Sequence, residues 1–224
     1  MYCYPWKYFP ARLHSTREII YFLENINNIK NVIDANPNDL TNIIFGDIYH
    51  SFVKKDSLRF FDTNIDKNID KLILEISSRK VNYYNNIPLS HYYSKRYNTK
   101  KKYNIIEKNL SDEEIEYDLL YILKISKEIF NSTIEINIIP HLNLRTKIEN
   151  AYIEKRNILV NLIEEICIRH NIKIINVGKY LELNCSKDIF LEDFMYDKIN
   201  QHYKADNLEI KALIIEKITG IKPS

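Results

Sequence analysis

The sequence predicts an α/β protein, a three-layer αβα sandwich built around a parallel sheet. Three observations carry that expectation. Short apolar, β-rich runs near 71–76, 134–139 and 173–177 alternate with amphipathic stretches, the pattern of a parallel sheet whose connections are helices. Two of the helical stretches open on capping boxes, Ser15-Thr-Arg-Glu18 and Ser111-Asp-Glu-Glu114, in which the serine hydroxyl accepts from the glutamate amide and the glutamate reaches back. At 224 residues the chain is long enough for one domain with a full core.

Residues 1–12 hold Pro5 and Pro10 among aromatic side chains and read as an irregular lead-in. After Ser15, the positions of Ile19, Ile20, Phe22, Leu23 and Ile26 give one apolar side of a helix ending near Asn27. Arg12 and His14 precede that helix. They are either surface residues at a helix start or groups facing an anion there. The run Ile43-Ile-Phe-Gly46-Asp47-Ile48 has the outline of a serine-hydrolase nucleophile turn, but isoleucine fills the serine place. It is expected to pack on the sheet as a helix or short strand.

Asp70–Lys80 is the first buried strand, ending in the polar loop Ser77-Ser78-Arg79-Lys80. Residues 83–110 are rich in tyrosine and lysine without a clear period and read as a surface excursion over the active face. A helix should run from Ser111 to about Phe130, with Ile115, Leu119, Ile122, Leu123, Ile125 and Ile129 inward. A strand from Thr133 to Ile139 stops at Pro140, and the loop His141–Arg145 leads to a helix over Ile148–His170. A third strand, Lys173–Val177, closes at Gly178, and a last helix covers Ala205–Thr219. Ligands of such sheets gather at the C-terminal strand ends. That is where Ser77–Lys80, His141–Arg145 and the 190–204 loop fall.

Composition narrows the function. Net charge is +2, too small a field to ask for nucleic acid. The cluster Lys95, Arg96, Lys100, Lys101 and Lys102 among tyrosines reads as a solvated loop. Gly46, Gly178 and Gly220 are the chain's 3 glycines, so no phosphate cradle or dinucleotide turn is present, and no cofactor is expected. Cys3, Cys167 and Cys185 lack paired spacing, which indicates neither a metal site nor a disulfide framework; Cys167 should be core. No apolar run approaches a membrane span, and the N-terminus lacks the look of a signal peptide. The expectation is a cytoplasmic protein without a membrane partner.

Chemistry concentrates in Phe190–Lys204, where Asp197 and His202 stand five residues apart on one loop. A carboxylate that orients an imidazole, and an imidazole that activates a nucleophile, form the base half of a catalytic triad. With Asp70–Asn82, Ile138-Ile-Pro140-His141, Arg156, Ile174–Gly178 and His202-Tyr203 in this order, the chain resembles the SGNH (GDSL-type) hydrolases, a flavodoxin-like fold class. The likeness is to the GSCFA branch and spans roughly Pro10–Ile218. It implies a serine esterase or acyl transferase acting on a small-molecule or carbohydrate ester. His202 is then the base and Asp197 its acid, with Asp193 as the alternative acid. Ser78, Asn82 and nearby backbone amides become candidates to hold the oxyanion, and His141 and Arg145 to bind substrate.

Two departures stand out. The family's acid and histidine are usually three apart, and no Gly-containing strand bearing the family's serine precedes Pro10. The resemblance therefore implies either a nucleophile segment upstream of Met1 or a degenerate member with background hydrolysis. No Ser, Thr or Cys is expected within hydrogen-bond reach of His202: Ser15 should cap its helix, and Ser77 and Ser78 follow the strand where the family uses donors and not its nucleophile, with Cys3 the exception to watch. A non-catalytic sugar- or ligand-binding relative, using His141, Arg145 and tyrosines, is the competing expectation. A purely structural or protein-interaction domain is the third.

Overall fold

The computed structural model describes residues 13–28, 31–32, 35, 71–89, 103–194, 216 and 220. It is a mixed α/β structure whose contacts divide at Ile136/Asn137 into two units.

The first unit opens on α1 (Thr16–Glu24). Ser15 caps it as expected, its Oγ accepting from the Glu18 amide at 3.4 Å. The Glu18 carboxyl reaches one residue further back than a standard box, to the His14 N–H at 3.1 Å, and also accepts from the Ser15 hydroxyl at 2.9 Å. Ile19, Phe22, Leu23 and Ile26 are buried. The helix stops at Asn25, earlier than the periodicity suggests, where the Asn25 side chain donates to the Tyr21 carbonyl at 2.8 Å.

Next comes β1 (Lys71–Ile76), the expected first strand. Beyond it the structure holds strands that the sequence reading did not include. An antiparallel sheet of β2 (Lys80–Tyr84), β3 (Ile87–Leu89) and β4 (Ile106–Asn109), in the order β3-β2-β4, takes in much of the described part of the 83–110 stretch. Tyr84 pairs with Ile87, leaving Asn85 and Asn86 as a two-residue turn with φ of 45° and 66°. Such a hairpin turn needs two left-handed residues, and asparagine is among the few side chains that tolerate them. Val81 and Leu89 are fully buried, while β4 is exposed throughout.

Helix α2 (Asp112–Ile129) carries both halves of the expected capping box at Ser111 and Glu114. It packs against α1 through a face that includes Ile115, Leu119 and Ile122, each at most 1% exposed. Asp118 and Ser126 lie buried on that face too, two polar positions that periodicity did not reveal.

Strand β5 (Glu135–Pro140) begins in the first unit, where Lys71 lies 3.6 Å from Glu135. It ends in the second, pairing in parallel with β6 (Lys173–Ile174) through Asn137–Lys173 and Ile138–Ile174. The parallel three-stranded sheet has the order β1-β5-β6. Helix α3 (Glu154–Arg169) starts later than expected, because residues 146–151 form a turn closed by the Thr146 amide on the Ala151 carbonyl. Its buried face holds Leu159, Val160, Ile163, Ile166 and Cys167. Burial pushes the Cys167 thiol up to about 12, so it behaves as an inert core residue. Arg156, also buried, donates from Nη1 to the Leu142 carbonyl at 2.8 Å and fixes the loop that leaves β5.

The expected third strand is shorter than the sequence suggests. Val177 and Gly178 open α4 (Val177–Asn184), capped by Asn176 accepting from the Lys179 amide at 3.0 Å. Gly178 is there for close packing: a Cβ would stand 2.2 Å from the Asn143 carbonyl oxygen. Helix propensity favours alanine over glycine by about 1 kcal/mol, while forcing a methyl into a filled site costs about 1–3 kcal/mol. Backbone on backbone leaves little room to yield, so the clash should win. Gly178→Ala is expected to lower stability by about 2 kcal/mol in urea unfolding; an unchanged or raised midpoint would contradict this packing.

A short α5 (Leu191–Phe194) follows. The lead-in 1–12, the run Gly46–Ile48 and the expected helix over 205–219 lie outside the described residues, save Glu216, which is helical. Among the described residues no helix is long and apolar enough to cross a membrane.

Candidate functional site

His202 and Asp197, the expected base and acid, lie outside the described residues. Asp193, the alternative acid, is exposed; it accepts from the Phe190 amide at 2.9 Å and pairs with Lys147. Ser78 and Asn82 belong to the first unit, His141 and Arg145 to the second.

In the first unit the loop after β1 is tied to the entry of α1. The amides of Ser77 and Ser78 both donate to the His14 carbonyl, at 2.9 and 2.8 Å. The Ser78 hydroxyl is engaged with Lys80, accepting from its amide at 2.9 Å and contacting its carbonyl at 3.2 Å. Asn82 is fully buried in β2. Of the nearby backbone amides, those of Ser77 and Ser78 are thus used inside the fold.

The same tether brings together a pair that local sequence could not show. Ser77 Oγ lies 3.0 Å from His14 Nδ1, across 63 residues of chain. Both side chains are half-buried. His14 is held by its main chain: its carbonyl takes the two serine amides and its N–H donates to Glu18. Glu18 contacts the backbone of His14 and the Ser15 hydroxyl, so it sets the position of His14. Burial raises the Glu18 carboxyl to about 8, against the lowering effect of those hydrogen bonds. It is therefore mostly uncharged at neutral pH.

Beyond Glu18, Asp118 of α2 is buried and receives the Thr16 hydroxyl at 2.6 Å and Arg17 Nε at 2.8 Å. Burial raises its pKa, while Thr16 and Arg17 oppose that. A buried carboxylate needs such partners, and these pin the first turn of α1 to α2. Among the described residues no group of three or more His, Cys, Asp or Glu could hold a metal ion.

In the second unit His141 is half-buried just after β5. Arg145 is fixed through its carbonyl, which accepts from the Leu191 amide at 2.8 Å. Its guanidinium reaches Asn150 at 3.3 Å and Asp188 at 3.8 Å, and it lines a cleft with Tyr152 and Glu182. Of the residues singled out in the sequence, Arg145 is thus set in a concave surface.

Together these features define an α/β protein with a serine–histidine contact at the C-terminal end of a sheet strand. Comparisons with protein-family models, with curated proteins and with solved structures find nothing that matches this chain.

Proposed function

We propose that the chain is an SGNH-type esterase or acyl transferase of three-layer αβα architecture, acting on a carbohydrate ester. What supports this reading is the 3.0 Å contact between Ser77 Oγ and His14 Nδ1. A serine is a weak nucleophile until a positioned base takes its proton. With the other imidazole nitrogen protonated, His14 Nδ1 accepts that proton as Ser77 Oγ attacks the ester carbonyl carbon. The leaving alkoxide then takes the proton from His14, and an acyl-Ser77 remains. Water, or a sugar hydroxyl in the transferase case, attacks this acyl group and gives its proton to His14; the bond to Ser77 Oγ then breaks, Oγ takes the proton back from His14, and the acid or the new ester leaves. This assignment departs from the role that the resemblance gives His202 with Asp197. It also replaces the expected background activity with turnover at Ser77. The free thiols Cys167 and Cys185 suit a reducing compartment such as the cytoplasm.

A non-catalytic carbohydrate-binding relative is the second reading. One observation favours it: the Ser77 and Ser78 amides already donate to His14 and so are closed to an oxyanion. A fluorophosphonate probe separates the two, since it bonds covalently to an activated serine. The expected result is one adduct on the peptide carrying Ser77, absent from His14→Ala. No adduct at Ser77 would leave the binding reading.

A further inference from the structure

The second unit contains a cleft of about 270 Å³ lined by Arg145, Tyr152, Glu182, Lys187, Asp188 and Ile189. We propose that this cleft is a binding subsite for one neutral sugar ring. The inference deepens the carbohydrate part of the proposed function and rests on it only for the class of substrate.

Size comes first. At about 270 Å³ the cleft falls below the range of about 300–1,000 Å³ common to small-molecule sites, so it admits nothing larger than a single ring. Charge comes next. Two cations, Arg145 and Lys187, face two acids, Glu182 and Asp188, and Arg145 already has Asp188 at 3.8 Å. An anion such as phosphate calls for uncompensated donors, which this balance does not offer. Ile189 is the one aliphatic side chain of the lining, too little for a purely apolar ligand. What remains is a wall that both donates and accepts beside an aromatic ring, which suits a polyol with hydroxyls and C–H faces.

The wall is also preorganised. The Tyr152 hydroxyl donates to Glu182 Oε1 at 2.7 Å, joining the lead-in of α3 to α4. Burial first, and then the Glu182 carboxylate, raise the Tyr152 phenol, so it keeps the proton it donates. The Arg145 backbone is anchored by Leu191, and its neighbours Leu142 and Leu144 are buried. A site held in its bound shape loses less on ligand ordering.

The experiment titrates the full chain with methyl glycosides of neutral hexoses, with glucuronate and with inorganic phosphate, following bound ligand by saturation-transfer NMR. The expected result is saturable binding of at least one neutral glycoside at a Kd on the order of 1 mM. Tyr152→Ala and Glu182→Ala should each weaken it about 10-fold or more, and Tyr152→Phe, which keeps the ring, by less. Tyr152 is 37% exposed and Glu182 is exposed as well, so these variants should fold; unchanged thermal unfolding checks it. Absence of saturable binding to every neutral glycoside, or binding that the variants leave intact, would overturn the proposal. Tighter binding of glucuronate or phosphate would overturn the neutral assignment. The measurement reads binding of unreacted sugars, so it is decided separately from any esterase result.

Discussion

Ser77→Ala and His14→Ala are each expected to lower kcat/KM for small acetyl esters by about 10⁴-fold. The magnitude follows from removing a nucleophile or its proton acceptor. Both variants should remain folded. The tether between the β1 loop and the α1 entry runs through the Ser77 and Ser78 amides and the His14 carbonyl, none of which is a side-chain group. The double variant should fall no further than either single one, because members of one catalytic unit do not act additively. His202→Ala is the discriminating comparison. A loss of similar size there, with His14→Ala near the parent rate, would return the base role to His202 and leave the His14 contact as a structural hydrogen bond. Hydrolysis no better than background in the parent protein would leave the carbohydrate-binding reading in place.

What the sequence shows of this structure is what is encoded within a few residues. The caps at Ser15 and Ser111 are local chemistry, and both helices begin where those serines stand. The long apolar run of β1 and the proline that ends β5 are legible for the same reason. The hairpin of β2 and β3 has a local signal too, the Asn85-Asn86 pair, since two adjacent asparagines suit a left-handed turn. Val177 is apolar enough to prolong β6, but the Asn176 side chain caps α4 there and Gly178 sits against Asn143. Tertiary packing therefore decides that boundary. The His14–Ser77 pair is the clearest case of long-range information. Neither residue belongs to a motif with the other, and it is the meeting of the α1 entry with the end of β1 that joins them. Asp118 was hidden likewise, because its partners Thr16 and Arg17 lie about a hundred residues earlier.

Glu18 should make the protein less stable as pH rises from about 4.5 to about 8. Glu18 is 3% exposed, and burial lifts its carboxyl from 4.5 to about 8. For an acid whose folded value is raised, the native state holds the proton that the unfolded chain releases. Its stabilising contribution is therefore complete below 4.5, declines through the interval, and is gone above about 8. Converted directly, that shift corresponds to about 5 kcal/mol. The fold has a cheaper response that keeps the loss below that figure. Opening the cap at His14 and Ser15 lets water reach the carboxylate, and losing an N-cap costs about 1–2 kcal/mol. Because Ile19, Phe22 and Leu23 are buried directly after the cap, opening beyond the first turn would expose core, so the observed loss should lie between these limits. Glu18→Gln isolates the effect. The amide oxygen can accept from the His14 N–H while its NH₂ donates to Ser15 Oγ, and no charge appears at any pH. Urea unfolding between pH 4.5 and 8.5 should show the parent losing stability relative to Glu18→Gln, with the gap widening towards pH 8. Parallel curves for the two proteins would show that this carboxyl is not held neutral by its burial.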